Sequence, residues 1–209
     1  MMDAISTQTT RAAEQARRMT WEAWLAWAPD SRITEWVDGE VIEMSPTSLR
    51  HAMISKWLTV ILEYFVHKNN LGEIIPAPYP MRLSQIPRGR EPDLIFVATE
   101  NLHRLRPTFM AGPADAVWEI VSPESVIRDW HDKYREYETE GVREYWVIDP
   151  EQQRTELYQL GENGRYAPAE LTEGRLQSSA IPGFYVRPEW LWSDPMPKPW
   201  EVLPELGVL

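Results

Sequence analysis

The sequence contains no cysteine, which excludes disulfide bonds, thiolate metal sites and cysteine nucleophiles. It also lacks any run of about 20 consecutive apolar residues, the length that a membrane-spanning helix needs. The first 18 residues are polar and lack the apolar segment of a signal peptide. These absences favour a protein that stays in the reducing cytoplasm and does not contact a membrane.

Positive charge is scarce, because 21 lysines and arginines stand against 32 aspartates and glutamates, for a net charge of −11. Proteins bind phosphate backbones mainly through lysine and arginine, so the average surface of this chain is unsuited to nucleic acid. Five arginines nevertheless cluster around one strand-like segment. They are predicted to contact a phosphate backbone, with solvated loop charges as the alternative: Arg82, Arg88, Arg90, Arg104 and Arg106.

The stretch from Glu91 to Lys133 carries the side chains that a metal-dependent hydrolase needs. The strand-like run EPDLIFV contains Asp93, and a second run, AVWEIVSPES, contains Glu119. An ionised carboxylate within an apolar strand is costly unless it is paired or binds a cation. Mg²⁺ prefers hard oxygen ligands, usually carboxylates with water and phosphate oxygens. Asp93 and Glu119 are therefore predicted to bind Mg²⁺ or Mn²⁺, although Asp93 could instead cap a turn.

An ammonium group is expected to reach the same place from the helix that follows. The strand continues for about 10 Å beyond Glu119 before Pro123 breaks it, and about 12 Å of helix then leads to Lys133. If the helix runs antiparallel to the strand, Lys133 returns beside Glu119. Asp129 lies four residues before Lys133 and could hold it by an ion pair, or both could be solvated. Val121, on the same strand face as Glu119, is apolar and cannot supply this charge.

The order of these motifs resembles the Uma-two family of endonuclease-like proteins, which belongs to the PD-(D/E)XK superfamily. The resemblance extends from about residue 21 to residue 192, and it includes TEWVDGEVIEMSP upstream of His51. It depends on four further matches in order: Pro92-Asp93, the EIVSP run from Glu119, Asp129 with Lys133, and the GVREYWVIDP run from Gly141. The resemblance implies a restriction-endonuclease-like α/β fold.

The resemblance also implies roles for residues around the two carboxylates. By analogy with the superfamily, the backbone carbonyl of Ile120 is a further metal ligand. His51 begins a long helix and points towards the sheet, and it is expected to support the ligands because the family motif carries a histidine there. A structural histidine is the alternative. Glu40 and Glu35 lie on a hairpin and could add an acidic contact, although hairpin glutamates are commonly exposed.

The predicted architecture is an α/β fold with a central mixed sheet flanked by helices, preceded by an N-terminal helix and a β-hairpin. Asp38-Gly39 predicts the hairpin turn, and Thr20 can cap the short helix WEAWLAWA. The segment EIIPAPYPMRL is predicted to form one irregular or edge strand, and VIRDWHDKYREYE is predicted to form a helix. Residues 1–18 are predicted as a flexible tail, 19–193 as one domain, and 194–209 as a second tail that contains proline and tryptophan.

Together these features predict a Mg²⁺- or Mn²⁺-dependent endonuclease that hydrolyses phosphodiester bonds in DNA. Two other classes stay open. Val121 and the acidic net charge would also suit a nuclease-like module that binds nucleic acid without cleaving it. The eleven tryptophans predict core packing and leave open a homodimer interface, as in a structural or regulatory protein that binds other proteins.

Overall fold

The computed structural model describes residues 18–28 and 33–208. In these residues the helices are α1 Trp21–Trp27, α2 Leu49–Lys68, α3 Tyr134–Glu140, α4 Pro188–Trp192 and α5 Pro199–Val202, with a 3-10 helix at Thr99–Arg104 and a π-helix at Arg128–Lys133. The strands are β1 Thr34–Val37, β2 Glu40–Glu43, β3 Gly72–Pro76, β4 Met81–Leu83, β5 Arg88–Arg90, β6 Leu94–Ala98, β7 Met110–Ala111, β8 Ala116–Ile120, β9 Glu144–Asp149, β10 Arg154–Leu160, β11 Tyr166–Pro168, β12 Leu176–Gln177 and β13 Tyr185–Val186.

A six-stranded mixed sheet in the order β11-β10-β9-β8-β6-β3 forms the centre of the fold. Strands β6, β8 and β9 are buried along their whole length because helices cover both faces of the sheet. The sequences of these strands are accordingly almost continuously apolar. Strands β8 and β9 pair in parallel, and the other neighbours pair antiparallel. The predicted central mixed sheet flanked by helices is confirmed.

Helix α2 covers one face of this sheet. Its side chains at helical spacing are fully buried, including Ile54, Leu58 and Ile61, and they pack against the stacked rings of Trp118 and Trp146. The Ser48 hydroxyl caps the helix by accepting a hydrogen bond from the His51 amide. The cap and the apolar stripe explain why this segment forms the longest helix and where it begins.

The opposite face is covered by the π-helix and α3. The sequence predicts a helix here, and the segment is helical, but Arg128–Lys133 is a π-helix between α-helical residues 126–127 and α3. π-Helical turns are rare and often accompany functional sites, and local sequence patterns do not identify them. The helix ends at Gly141, whose φ of 83° favours glycine.

A second sheet, in the order β2-β1-β5-β4-β7, lies towards the N-terminus. The predicted hairpin is confirmed, with Asp38 and Gly39 both at positive φ between β1 and β2. The predicted single strand EIIPAPYPMRL is wrong, because β3 ends at Pro76 and β4 begins at Met81 in the other sheet. Three prolines lie in this segment and cannot donate ladder hydrogen bonds, which favours a break between two strands.

Helix α1 packs beside the second sheet, as the sequence predicts. The Thr20 hydroxyl accepts a hydrogen bond from the Ala23 amide, and Trp21 and Trp24 are buried. A Cβ atom on Gly89 of β5 would lie 2.3 Å from the Trp21 ring, so only glycine allows this close packing.

The C-terminal segment packs against the core cluster beneath α2. The buried side chains of Val202, Leu203, Leu206 and Val208 belong to this cluster, and the Trp57 indole donates a hydrogen bond to the Pro197 carbonyl at 2.7 Å. The division of the chain at residues 18 and 193 stays a prediction, and residues 1–17 of the predicted tail lie outside the described residues. Within the described part of the chain, no helix is long and apolar enough to cross a membrane.

Candidate active site

Asp93 and Glu119 meet at one end of the central sheet. The antiparallel register of β6 and β8 pairs Leu94 with Trp118, so Asp93, one residue before β6, stands opposite Glu119. Residues opposite each other in a ladder share one face of the sheet. The Asp93 Oδ2 atom accepts a hydrogen bond from the Ile120 amide at 2.7 Å. All three residues border one cavity of about 280 Å³, so the structure brings together the two carboxylates that the sequence singled out.

Lys133 reaches the same cavity from the π-helix. Its Nζ atom lies 2.8 Å from Glu119, 3.0 Å from Glu35 and 3.4 Å from Asp129, and its side chain is 3% exposed. The predicted return of the helix beside Glu119 is therefore observed, together with the i,i+4 contact to Asp129. Burial alone would lower the pKa of Lys133, but the surrounding carboxylates, Glu119 first, raise it. The amine therefore stays protonated and cannot act as a base at neutral pH.

Glu35, on strand β1, links Lys133 to the second sheet. Its two carboxylate oxygens lie 3.0 Å from Lys133 Nζ and 2.6 Å from Arg90 Nη1, and the side chain is 1% exposed. Burial would raise the pKa of Glu35, yet Lys133 and then Arg90 and Arg128 lower it to about 2. The sequence grouped Glu35 with Glu40 as hairpin glutamates, and only a long-range contact separates their environments.

Glu40 lies away from the cavity. Its carboxylate pairs with Arg18 at 2.6 Å, and the side chain is 39% exposed. The residues that line the cavity include Glu35 but not Glu40. Of the two hairpin glutamates, Glu35 therefore supplies the expected acidic contact in the cavity, and Glu40 does not.

The His51 imidazole, on helix α2, holds Asp93 in place. Its Nε2 atom lies 2.8 Å from Asp93 Oδ1, as expected for a histidine that begins α2 and points towards the sheet. Asp93 is thereby fixed through both oxygens, one by the imidazole and one by the Ile120 amide. Such contacts from outside orient a carboxylate for a cation.

Hydrogen bonds from the helix side fix the remaining acids. The Tyr137 hydroxyl donates to Glu119 Oε1 at 2.8 Å. The Ser125 hydroxyl donates to the Asp129 carboxylate, and the Tyr145 hydroxyl donates to the Asp129 carbonyl at 2.8 Å. Glu119, which interrupts the apolar run of β8, is therefore held by a tyrosine and a lysine that lie four residues apart.

The cavity carries more negative charge than its own cations neutralise. Within residues 18–28 and 33–208, its lining includes eight carboxylates but only three basic side chains, namely His51, Arg128 and Lys133. Burial raises the pKa of Glu119 to about 8 despite Lys133, and burial raises the pKa of Glu91 to about 7. Among the described residues, the Glu91 Oε2 atom is buried without a hydrogen-bond partner. An acidic cavity with such an oxygen suits a divalent cation.

The donor chemistry therefore fits the cation, and the ligands that the sequence predicts border the cavity: Asp93, Glu119 and Ile120. Across residues 18–28 and 33–208, no three acids, histidines or cysteines stand in the arrangement of a preformed metal cluster. The side-chain oxygens of Asp93 and Glu119 are instead held by protein donors, which leaves their remaining lone pairs for a cation.

The five arginines of the predicted phosphate-binding cluster do not line the cavity. Arg90 lies in the interior, where it contacts Glu35 and Glu136, and a buried guanidinium with these partners cannot reach a phosphate backbone. Arg88 pairs with Glu136 and Asp38. We therefore assign Arg88 and Arg90 to ion pairs that join the second sheet to α3.

The other three arginines lie nearer to solvent. The Arg82 guanidinium carbon lies 5.2 Å from the centroid of the Trp21 ring. Arg104 donates to the Pro113 carbonyl, and Arg106 donates to the Leu105 carbonyl. Phosphate contact by these three stays a prediction.

Comparisons with known proteins identify a family and a similar fold. The sequence matches the model of the Uma2 family, described as "Putative restriction endonuclease", over residues 21–189. A similar solved structure is that of "a putative nuclease belonging to DUF820" from Anabaena variabilis, with a TM-score of 0.70 and 14% identity over 83% of this chain and 97% of that chain. At this identity the likeness shows the fold alone. A comparison with curated proteins gives no match.

Proposed function

Because this chain belongs to the Uma2 restriction endonuclease family, we propose that it is a divalent-metal-dependent endonuclease that hydrolyses phosphodiester bonds in DNA. The observation that carries the proposal is the convergence of Asp93, Glu119 and Lys133 on one acidic cavity. Asp93, Glu119 and the Ile120 carbonyl would hold Mg²⁺ or Mn²⁺. Such a cation, when bound, lowers the pKa of a water molecule and polarises the scissile phosphate.

The protein contributes by fixing its carboxylates before substrate arrives. The His51 imidazole and the Ile120 amide hold Asp93, while Tyr137 and Lys133 hold Glu119. Groups that are held in place beforehand do not need to reorganise during the reaction. Such electrostatic preorganisation is the largest single contribution to the rate enhancement of many enzymes.

Lys133 acts chiefly by keeping Glu119 in place and by adding positive charge beside it. Its ammonium has three N–H donors, and three carboxylates surround it within 3.4 Å. Lys133 therefore influences the attacking water only indirectly, through the position of Glu119.

Cleavage assays with supercoiled plasmid, linear duplex and single-stranded DNA test the function. We expect nicking in Mg²⁺ or Mn²⁺, none in EDTA, and anomalous density between Asp93 and Glu119 after a crystal soak with Mn²⁺. DNA binding in Mg²⁺ without cleavage under any divalent ion would replace the proposal with a silent binding module. No affinity for either cation or nucleic acid would indicate a protein-binding role instead.

Removal of the His51 imidazole is expected to weaken metal binding without destroying the site. In His51→Ala, Asp93 loses one of its two fixed contacts, and we expect the apparent affinity for Mn²⁺ to fall about 10- to 100-fold. The cleavage rate should largely recover at saturating Mn²⁺. Calorimetry and metal titrations of cleavage measure this effect.

His67→Ala provides the matched control for this experiment. It lies on the same helix, is exposed, and pairs with Glu73 rather than with a cavity residue. Equal Mn²⁺ affinity in the wild type and both variants would show that His51 does not support the ligand.

A further inference from the structure

The basic side chains of the cavity differ in how many of their hydrogen-bond donors have a partner in the protein. Lys133 is surrounded by three carboxylates, and His51 is bonded to Asp93. Arg128, on the first turn of the π-helix, is the third basic residue of the cavity lining. Its position was not singled out by the sequence, because a single arginine on a helix is commonly a solvated charge.

The Arg128 guanidinium lies close to two carboxylates without hydrogen-bonding to them through Nε. Its Nε atom is 3.8 Å from Glu35 and 4.0 Å from Asp129, beyond hydrogen-bond distance. Among the described residues, this buried Nε atom has no hydrogen-bond partner. The side chain as a whole is 18% exposed, so part of it faces the open cavity. Attraction to the two acids holds the guanidinium there while leaving donor capacity for another acceptor.

A phosphodiester entering this cavity needs a positive partner from the protein in addition to the proposed cation. The carboxylates that border it repel a phosphate, and Lys133 lies among three of them. A guanidinium presents two parallel N–H donors that match two oxygens of a phosphate, which a lysine ammonium does not.

We propose that Arg128 binds the non-bridging oxygens of the scissile phosphodiester and positions it against Asp93 and Glu119. This inference rests on the proposed nuclease function and names the residue that recognises its substrate group. The π-helix would then recognise the reacting phosphate. Arg82, Arg104 and Arg106, which lie outside the cavity, could contact only flanking DNA.

Single-turnover cleavage by Arg128→Gln and Arg128→Lys tests this role. We expect Arg128→Gln to cleave about 10²-fold more slowly than the wild type, because one charged donor to the reacting group is lost. Arg128→Lys keeps the charge near Glu35 and Asp129 but loses the paired donors, and we expect it to recover no more than about a tenth of the wild-type rate. Arg135→Gln, an exposed arginine on α3, is the control and should cleave at the wild-type rate.

A phosphorothioate substrate separates phosphate contact from structural support. Sulfur in place of one non-bridging oxygen should slow the wild type, and the additional loss should be smaller in Arg128→Gln, which no longer contacts that oxygen. A purely structural role would give the same sulfur effect in both proteins. It would also lower the melting temperature of Arg128→Gln and restore the cleavage rate in Arg128→Lys. Either pattern overturns the inference.

The assay also distinguishes failure of this inference from failure of the nuclease function. If the wild type cleaves and Arg128→Gln cleaves within about twofold of it, only the role of Arg128 is wrong. If the wild type cleaves nothing, affinity for duplex and single-stranded oligonucleotides in Ca²⁺ decides. An affinity about tenfold lower in Arg128→Gln then supports the phosphate contact, whereas equal binding or no binding by either protein overturns it.

Discussion

Asp93→Asn and Glu119→Gln are each expected to reduce DNA cleavage by about 10³-fold or more. Each change removes one of the two carboxylate charges that would hold the cation, while the side chain keeps almost the same size. Loss of a ligand removes several kcal/mol of stabilisation of the charge that develops on the phosphate. Single-turnover cleavage in saturating Mn²⁺, with metal affinity measured by calorimetry, gives the result for each variant.

The fold should survive both changes, because hydrogen-bonded neighbours can accommodate an amide. In Glu119→Gln the carbonyl can still accept the Tyr137 hydroxyl, and Lys133 keeps its contacts with Glu35 and Asp129, whereas Glu35 is shared by two buried cations. In Asp93→Asn the carbonyl can accept from the Ile120 amide and the new NH₂ group can donate to His51. Melting temperatures near that of the wild type are therefore expected.

Asp132→Asn supplies the control, since it removes one acidic charge from an exposed position beside Lys133. It should leave both cleavage and stability unchanged. If both ligand variants cleaved at the rate of an active wild type, the assignment of Asp93 and Glu119 to the metal would be refuted.

The local part of the site is readable from the sequence because it depends on strand and helix periodicity. Glu119 interrupts an apolar strand, β8 ends at Ile120 shortly before Pro123, and the helix that follows returns Lys133 to the carboxylate. Asp38-Gly39 fixes the hairpin for a similar reason, since few residue pairs adopt positive φ so readily. These features depend on neighbours within about a dozen residues.

The long-range part of the site could not be read in the same way. Glu35 and Arg90 have ordinary sequence surroundings, and their burial becomes evident only when the second sheet and the π-helix meet. The same limit applies to Arg90, for which the sequence predicts phosphate contact although the side chain lies in the interior. Contacts between residues more than 50 positions apart leave no periodic signal in one sequence.

Glu35→Gln is expected to destabilise the fold by about 3 kcal/mol at pH 7, because it removes one partner of two buried cations. Lys133 and Arg90 would keep their other carboxylates but lose the charge that lies between them. Urea unfolding monitored by tryptophan fluorescence measures the free energy of unfolding of both proteins. Cleavage should also decrease, since Lys133 would be less firmly fixed beside Glu119.

The stability difference should depend on pH in a direction set by the pKa of Glu35. Lys133 and Arg90 lower this pKa from 4.5 to about 2, so the ionised carboxylate stabilises the folded state above pH 4.5. Its contribution is lost as the pH falls towards 2, and the difference between wild type and Glu35→Gln should shrink over that range. Glu40→Gln, on the same hairpin with an exposed partner, should stay within about 0.5 kcal/mol of the wild type throughout. A difference that stayed constant from pH 7 to pH 3 would show that Glu35 acts through packing rather than through its charge.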